Sequence, residues 1–264
     1  MPKDTGRWAK IDKLLDYLSG LGSAVVAFSG GIDSSFLLWA CLKALGKGKT
    51  LAVTFASPLM REDQKEKVCL VIRTLKADHL WLETDELSWP EFVINDSRRC
   101  YYCKKNRYSL LWHEMASWGH RNLIDGTNFS DLMEIRPGLE AVKELGVLTP
   151  LVETEWNKED IILVSQELGL PSAEYDPESC LATRVAQGQK ISREMLMKVA
   201  DAEKELLNLG FHMVRARLRG EEMILQVRPD EVARLLSMRN RLDVLRKRLN
   251  LRCITIDPAG YRKI

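Results

Sequence analysis

The sequence lacks the features that would place it among membrane, secreted or repetitive proteins. Its 264 residues contain no uninterrupted apolar run of the ~18 residues that a membrane-spanning helix needs. The N-terminal stretch is amphipathic and too charged for the apolar centre of a secretory signal. We find no internal repeat and no low-complexity stretch. We therefore expect a cytoplasmic globular protein that has no membrane partner.

Aromatic residues are also scarce, at 7%, and no RNA-binding motif is present, so we do not expect nucleic acid as the partner. The net charge of +2 hides an asymmetry. From Arg184 onward the chain has 18 basic and 10 acidic side chains, whereas residues 1–183 have 21 basic and 27 acidic ones. Such a basic C-terminal part suits an anionic partner, either a phosphorylated small molecule or RNA.

Strand-like and helix-like patterns alternate over the first 180 or so residues. This alternation predicts an α/β fold with a doubly wound parallel sheet, in which ligands bind beyond the carboxyl ends of the strands. We predict a first domain over residues 1–184 and a smaller α/β domain over residues 185–264. The predicted strands are 24–28, 50–56, 79–83, 122–125, 214–218, 223–227 and 253–256, and the predicted helices are 34–45, 62–77, 104–117, 158–168 and 192–209, with further helical patterns over 229–249.

The most informative motif is the loop that follows the first predicted strand. It reads Ser29-Gly30-Gly31-Ile32-Asp33-Ser34-Ser35 and leads into a helix. Adjacent glycines let the backbone approach an anion closely, and the helix dipole favours a phosphate group there. The lysine of the Walker loop is missing. Asp33 would meet a phosphate through Mg²⁺, and the loop hydroxyls would add hydrogen-bond donors.

Other segments should border the same nucleotide pocket, because they also follow parallel strands. Ala27 lies near the end of the first predicted strand, Phe55 lies near the end of the second and is expected to face the adenosine, and Gly126 follows the fourth. A glycine at position 126 would let backbone groups reach the base. We therefore predict ATP and Mg²⁺ as ligands of this edge.

Three of the six cysteines form a candidate metal site. Cys100 and Cys103 are spaced C-x-x-C at the start of a predicted helix, which places both sulfurs on one face. Cys180 follows in a turn-rich segment and is expected to converge with them beside the nucleotide. Three thiolates suit a [4Fe–4S] cluster with one iron free of protein ligands, while a redox pair or a zinc site stays open. Cys41, Cys69 and Cys253 are interpreted as small buried residues.

These motifs together indicate a family. The SGGIDSS loop resembles the pyrophosphate loop of the N-type ATP pyrophosphatases, and with YYCKKNRYSLL, SCLATR, DAEKELLNLGF, VRARLRG and DPAGYR the chain resembles the LarE sulfur transferases over nearly its whole length. The resemblance implies adenylation of a carboxylate of pyridinium-3,5-biscarboxylic acid mononucleotide and its conversion to a thiocarboxylate, for a nickel-pincer cofactor. It also implies a sulfide donor and a homo-oligomer, either a hexamer or another ring.

The resemblance implies roles for further residues. Cys180, Arg184 and Asp33 would be catalytic, and the family supplies sulfur either from one cysteine matching Cys180 or from a three-cysteine [4Fe–4S] cluster. Because Cys100 and Cys103 are present, we assign this chain to the cluster type. Lys158 would reach nucleotide phosphate, or else be a solvated lysine. The expected substrate-binding residues are Arg184, Glu203, Arg215, Arg217 and Arg262, with an exposed structural role as the alternative for Glu203.

The chain departs from the family pattern in two places. Val185-Ala186-Gln187-Gly188 stands where Pro-Tyr-Gly is common, and Gln226 stands where a glutamate is common. The lost charge weakens the case for a metal site in the small domain. Three competing functions remain open at this point: an ATP-dependent enzyme that thiolates tRNA, an ammonia-using synthetase, and an iron–sulfur or zinc sensor that binds nucleotide without turnover.

Overall fold

The computed structural model describes residues 5–133, 136–176 and 179–261. The strands of these residues are β1 (Ala24–Ala27), β2 (Thr50–Ala56), β3 (Asp78–Glu83), β4 (Leu123–Asp125), β5 (Arg215–Arg219), β6 (Glu222–Gln226) and β7 (Cys253–Ile256). The α-helices are α1 (Thr5–Ser19), α2 (Ile32–Ala44), α3 (Glu62–Leu75), α4 (Pro90–Val93), α5 (Arg99–Trp118), α6 (Pro137–Glu144), α7 (Pro150–Glu153), α8 (Lys158–Glu167), α9 (Arg193–Asn208), α10 (Val232–Leu236) and α11 (Arg239–Arg248). None of the described helices is both long and apolar enough to cross a bilayer.

The chain divides into two compact units. The first consists of residues 1–57, 62–84 and 98–178, and the second of residues 58–61, 85–97 and 179–264. The second unit therefore combines the C-terminal part of the chain with two short earlier segments. The sequence-based boundary between residues 184 and 185, with a substrate role for the C-terminal part, stays a prediction.

The first unit is built on a four-stranded parallel sheet of order β3-β2-β1-β4. Residues alternate between its two faces, since Val26 lies in one apolar cluster and Val25 in another. The first cluster contains side chains of α1, α2, α3 and α8, and the second contains side chains of α5. Helices thus cover both faces, which confirms the predicted α/β fold class with a parallel sheet.

The inner strand β1 shows why the sequence folds this way. Its residues Ala24, Val25 and Val26 are fully buried, as expected for a strand that has neighbours on both sides and helices on both faces. The chain then turns at Gly30, and α2 begins at Ile32, two residues earlier than predicted. Strands β2 and β7 begin and end at the predicted residues.

The N-terminal helix α1 was not predicted. Its Leu14 and Leu18 are fully buried in the cluster that also contains Phe36 of α2. Because charged residues separate these apolar positions, the pattern indicates an amphipathic segment, but not what it packs against. Helix α6 was missed too, since it has only eight residues.

The second unit contains a three-stranded sheet of order β5-β6-β7. Strands β5 and β6 form an antiparallel hairpin, and β7 pairs with β6 in parallel. Helix α9 begins at the N-cap Ser192, whose side chain accepts a hydrogen bond from the Met195 amide at 3.3 Å. Its buried Leu196, Val199 and Leu206 belong to the apolar interior. This arrangement confirms the predicted second α/β part.

Two of the three cysteines interpreted as buried are not. Cys41 is buried, but Cys69 is exposed and Cys253 is half-buried. On α3 the core-facing positions are Val68 and Val71, so Cys69 lies on the solvent side of the helix. The prediction that Cys69 is buried, which was based on the apolar residues beside it in the sequence, is therefore wrong.

Candidate functional site

The serine–glycine loop lies at the carboxyl end of β1, directly before α2. The Gly31 amide donates to Ser29 Oγ at 3.3 Å, and the Ser34 and Ser35 hydroxyls donate to the Gly31 carbonyl at 3.0 and 2.8 Å. The Ser29 and Ser34 hydroxyl oxygens are 3.1 Å apart. The loop is thus held in a closed turn at a helix N-terminus, a geometry that favours anions.

Two glycines permit close packing around this loop. Gly30 has φ of 78°, and a side chain there would meet Val68 Cγ2 of α3 at 2.7 Å. A Cβ on Gly126, beyond β4, would lie 3.0 Å from the Ser34 amide nitrogen. The first contact would force a shift and the second is tighter than an ordinary van der Waals contact, so the glycines let the α3 and β4 segments approach the loop.

Asp33 in the first turn of α2 makes two polar contacts. Its Oδ2 lies 2.5 Å from Lys158 Nζ, at the start of α8, and its Oδ1 accepts from Asn128 Nδ2 at 3.2 Å. Both members of the ion pair are partly exposed. Asn157 caps α8 by accepting from the Asp160 amide at 2.8 Å, which fixes the helix start that carries Lys158. The structure therefore places Lys158 beside Asp33 of the loop, and its contact with nucleotide phosphate stays a prediction.

A buried carboxylate ends β4. Asp125 accepts from the Thr127 amide at 2.7 Å and from the hydroxyls of Thr127 and Tyr108, and it pairs with Lys104 Nζ at 3.1 Å. Burial by itself would raise the pKa of Asp125, but the Lys104 charge and these hydrogen bonds hold it below its ordinary value. Burial and the neighbouring Asp125 raise the pKa of the Tyr108 phenol. Asp125 is therefore ionised and fixes the end of the strand.

The predicted adenosine-facing residues differ in exposure. Phe55 is buried and packs in the cluster on the α5 side of the sheet, with the Arg107 guanidinium 5.0 Å from its ring centre. Ala27, at the end of β1, is half-buried. The part of Phe55 that could meet a base is therefore small, and its role as a nucleotide contact stays a prediction.

Cys100 and Cys103 lie in the first turns of α5, where Cys100 is exposed and Cys103 is half-buried. The helix places both thiols on one side, as predicted, because they are three residues apart. Lys104, the next residue, connects this helix start to Asp125. No group of three or more His, Cys, Asp or Glu side chains in residues 5–133, 136–176 and 179–261 is placed to hold a metal ion.

In the second unit, Cys180 is half-buried and precedes a single 3₁₀ turn over Leu181–Arg184. Arg184 is only 2% exposed. Its Nη1 donates to the Ser179 hydroxyl, to the Ser179 carbonyl at 3.0 Å and to Thr183 Oγ1 at 2.8 Å. The predicted substrate-binding arginine thus lies inside the unit and contacts the segment that carries Cys180.

Glu203 of α9 is fully buried, so the alternative of an exposed helical glutamate is wrong. Its Oε1 accepts from Arg184 Nε at 2.8 Å and from the Ala216 amide at 3.1 Å, and its Oε2 accepts from Arg61 Nη1 at 2.9 Å. Glu203 is buried because helical periodicity places it on the same face of α9 as Val199 and Leu206, and that face is turned to the interior. Its predicted contact with substrate stays a prediction.

Arg215 and Arg217 lie on one side of β5, since they are two residues apart. Arg215 is 5% exposed, with its guanidinium 4.9 Å from the Tyr261 ring centre, and Arg217 is exposed. Burial lowers the pKa of Arg215, and the charge of Arg184 lowers it further. The predicted substrate residue Arg262 is outside the described residues.

Gln226 bridges two side chains of the second unit. Its Oε1 accepts from Arg217 Nε at 2.7 Å, and its Nε2 donates to Asp257 Oδ2 at 2.7 Å. A glutamate could not make the second contact as a donor. The amide therefore fits these two partners.

Sequence reasoning missed Arg61, Lys104 and Arg107. Arg61 lies 142 residues from Glu203 in the chain, and no local pattern marks such a pair. Lys104 could have been noticed as the basic residue next to the C-x-x-C pair, but its partner Asp125 follows only from the packing of α5 on the sheet.

Comparison with known proteins finds a matching family and similar proteins. Residues 9–88 match the model of the NAD synthase family. The chain is 30% identical over 249 residues to pyridinium-3,5-bisthiocarboxylic acid mononucleotide synthase of Lactiplantibacillus plantarum, covering 94% of this chain and 90% of that protein. It is also similar to the uncharacterised slr1717 of Synechocystis (28%, 96% and 95% coverage) and MJ0830 of Methanocaldococcus jannaschii (26%, 90% of each).

The family model matches the part of the chain that carries the serine–glycine loop and its helix, and the Lactiplantibacillus relative aligns with both units. A pyrophosphate loop at the end of a parallel strand indicates an enzyme that uses ATP with Mg²⁺. The chain therefore belongs to the LarE family of ATP-dependent sulfur transferases, within the enzymes that share the pyrophosphate loop.

Proposed function

We propose that this protein adenylates a carboxylate of pyridinium-3,5-biscarboxylic acid mononucleotide with ATP and then replaces one carboxylate oxygen by sulfur, giving a thiocarboxylate. The observation that carries the proposal is the anion-binding loop at the end of β1, in a chain 30% identical to a bisthiocarboxylic acid mononucleotide synthase. Supporting it, the reactive parts of such an enzyme are all represented: a nucleotide loop, arginines for an anionic substrate, and accessible thiols.

The loop would hold the phosphates of ATP. Its backbone amides and the N-terminus of α2 provide partial positive charge, and Lys158 provides a full one. Asp33 pairs with Lys158. Asp33 would hold Mg²⁺ beside the phosphates, and the Lys158 amine would then be able to donate to a phosphate oxygen. A Mg²⁺ held by Asp33 and the amine of Lys158 would together supply positive charge to the triphosphate and to the departing pyrophosphate.

Arginines of the second unit would bind the mononucleotide. Arg217 is exposed on β5, and its Nε donates to Gln226 Oε1 at 2.7 Å. Arg217 is suited to a phosphate group, because guanidinium pairs with phosphate through two parallel hydrogen bonds. The excess of basic over acidic side chains from Arg184 onward would attract the anionic substrate.

Sulfur transfer would use the thiols of Cys100, Cys103 and Cys180. None of the three forms a disulfide, and each is exposed or half-buried. Their donor chemistry suits a [4Fe–4S] cluster, which when bound supplies an iron able to hold sulfide. In the acyl step a sulfur nucleophile attacks the adenylated carbon, a C–S bond forms, the C–O bond breaks, and AMP leaves with the electron pair.

The decisive experiment is anaerobic reconstitution with iron and sulfide, followed by ATP and the biscarboxylate mononucleotide. Mass spectrometry of product and protein is the readout. We expect a product that gains sulfur, with Cys180 intact. Conversion of Cys180 to dehydroalanine would instead assign the sulfur to the cysteine. The proposal would be contradicted if the mononucleotide gained no sulfur while AMP formed with tRNA as the substrate.

Matched variants separate the thiols. Cys100→Ser should abolish catalytic turnover and the cluster absorbance, because one ligand is lost. Cys69→Ser is the control, since Cys69 is an exposed cysteine on another helix of the same unit. Equal turnover in the two variants would contradict a cluster held by Cys100.

A further inference from the structure

The segment that carries Cys180 is fastened at several points within the second unit. The Leu181 amide donates to the Leu59 carbonyl at 3.2 Å, and Thr183 Oγ1 donates to the Cys180 carbonyl at 2.8 Å. Arg184 Nη1 donates to the Ser179 side chain and lies 3.3 Å from the Cys180 carbonyl. A short turn of this kind has little stability by itself, so its position depends on these contacts.

Arg184 is itself held from the opposite side. Its Nε donates to Glu203 Oε1 at 2.8 Å, and both residues are nearly inaccessible to solvent. Among the described residues its buried Nη2 has no hydrogen-bond partner. The orientation of the guanidinium is therefore set by Glu203 through Nε and by the cysteine segment through Nη1.

Glu203 is shared with a second arginine. Arg61 Nη1 lies 2.9 Å from Glu203 Oε2, and Arg61 belongs to the same short segment as Leu59. The residues 58–61 thus contact the cysteine segment twice, directly through Leu59 and indirectly through Glu203. A buried carboxylate between two arginines is strongly coupled, because removing one partner leaves an uncompensated buried charge.

We propose that Glu203 and Arg61 are positioning residues that act through Arg184 on the Cys180 segment. The proposal rests on the proposed function only in taking Cys180 as a residue that handles sulfur. Both Glu203 oxygens already accept hydrogen bonds, from Arg184 and the Ala216 amide on one side and from Arg61 on the other. Both carboxylate oxygens of Glu203 are therefore hydrogen-bonded to protein groups, and Glu203 fixes the position of the Cys180 thiol.

The test measures Cys180 alkylation by iodoacetamide, resolved by peptide mass spectrometry, in the full-length protein before iron and sulfide are added. The exposed Cys69 is the internal reference. Glu203→Gln should raise the Cys180 rate about tenfold, because the segment opens more often once its charged anchor is lost. Glu194→Gln is the matched control, an exposed glutamate of the same helix that pairs with Lys198 at 2.8 Å.

Arg61 provides an independent test if Glu203→Gln does not fold. Arg61→Met should raise the Cys180 rate, and Arg61→Lys should restore it towards the wild-type value, because lysine keeps the charge beside Glu203. A Cys180 rate unchanged in folded Arg61→Met, or raised equally by Glu194→Gln, would overturn the proposal.

Turnover gives a second readout. In the thiocarboxylate assay Glu203→Gln should lower kcat and leave KM for the mononucleotide nearly unchanged, whereas a substrate-binding glutamate would raise KM. The labelling needs neither ATP nor mononucleotide. An inactive wild-type protein would therefore contradict the proposed function alone, while unchanged labelling would contradict the positioning role alone.

Discussion

At the scale of single residues, the first unit depends on positions where no side chain fits. Gly126 approaches the backbone of α2 so closely that a Cβ would lie 3.1 Å from Ser34 Cα and 3.3 Å from the Asp33 carbonyl carbon. The contacted atoms belong to the backbone, which cannot move aside as a flexible side chain can. The distance between the end of β4 and the serine–glycine loop is therefore set by this glycine.

Gly126→Ala should separate the strand end from the loop. We expect destabilisation of about 1–3 kcal/mol from the overpacking and ATP-analogue binding weaker by about tenfold or more, since small displacements of binding groups are costly. Thermal unfolding and titration calorimetry measure the two effects. The control is Gly48→Ala, whose added Cβ has no neighbour within 4 Å. Equal binding by both variants would contradict this prediction.

At the scale of elements, α1 shows how much a helix can contribute without belonging to the sheet. Its Ile11, Leu14 and Leu18 are buried beside Phe36 of α2. Helices of this length gain their stability mainly from packing an apolar face. The amphipathic pattern of the segment was visible in the sequence, and only the packing shows that it completes the core of the first unit.

Leu14→Ala should lower the free energy of unfolding by about 2–5 kcal/mol, because it leaves a cavity at a fully buried position. Lys13→Ala is the matched control on the same helix, since its side chain is 54% exposed. Urea denaturation measures both changes. A Leu14→Ala effect as small as that of the control would show that α1 is dispensable for this core.

His79, in the edge strand β3, makes the stability of the folded protein depend on pH. Burial lowers the pKa of this imidazole from 6.5 to about 4, and a ring nitrogen lies 2.9 Å from Thr54 Oγ1 of β2. The unfolded chain takes up the proton first as the pH falls. The neutral His79 therefore stabilises the folded protein above pH 6.5, and this contribution is lost as the pH falls towards about 4.

His79→Gln should flatten the pH dependence of the unfolding free energy between about pH 6.5 and 4. Glutamine does not titrate and can still bond to a hydroxyl. His113→Gln, at a side chain that is 84% exposed, should leave the slope unchanged. Urea denaturation across this range is the measurement, and parallel curves for wild type and His79→Gln would refute the assignment.

At the scale of the whole molecule, the proposed reaction assigns its two substrates to different units. The phosphate loop and its neighbours all belong to the first unit, while Arg217 and its partner Gln226 belong to the second. The hydrogen bonds described around the loop and around Arg217 each lie within one unit. Binding of either substrate alone should therefore protect backbone amides of one unit.

Hydrogen exchange tests this division. A non-hydrolysable ATP analogue should slow exchange over residues 29–35, and nicotinic acid mononucleotide should slow it over residues 215–219. Arg217→Gln should abolish the second effect and leave the first. Arg252→Gln is the control, because Arg252 is an exposed arginine of the same unit that pairs with Glu222. Protection of residues 29–35 by both ligands would contradict the assignment.

The sequence by itself determined the α/β class, the parallel sheet and the phosphate loop. These follow from local patterns: a buried strand such as β1 is a short apolar run, and Gly30 and Gly31 mark a turn at a helix start. The strand limits of β2 and β7 were predicted correctly for the same reason.

Tertiary structure alone decided which charged side chains meet. The pairs Asp33–Lys158, Lys104–Asp125 and Arg61–Glu203 join residues far apart in the chain, and only the packing of the elements brings them together. It also decided that Glu203 is buried and Cys69 exposed, because the face that a helix turns to the core depends on what it packs against. The periodicity of apolar residues in the sequence shows that a helix has an apolar and a polar face. The rest of the fold determines which residues each face contacts.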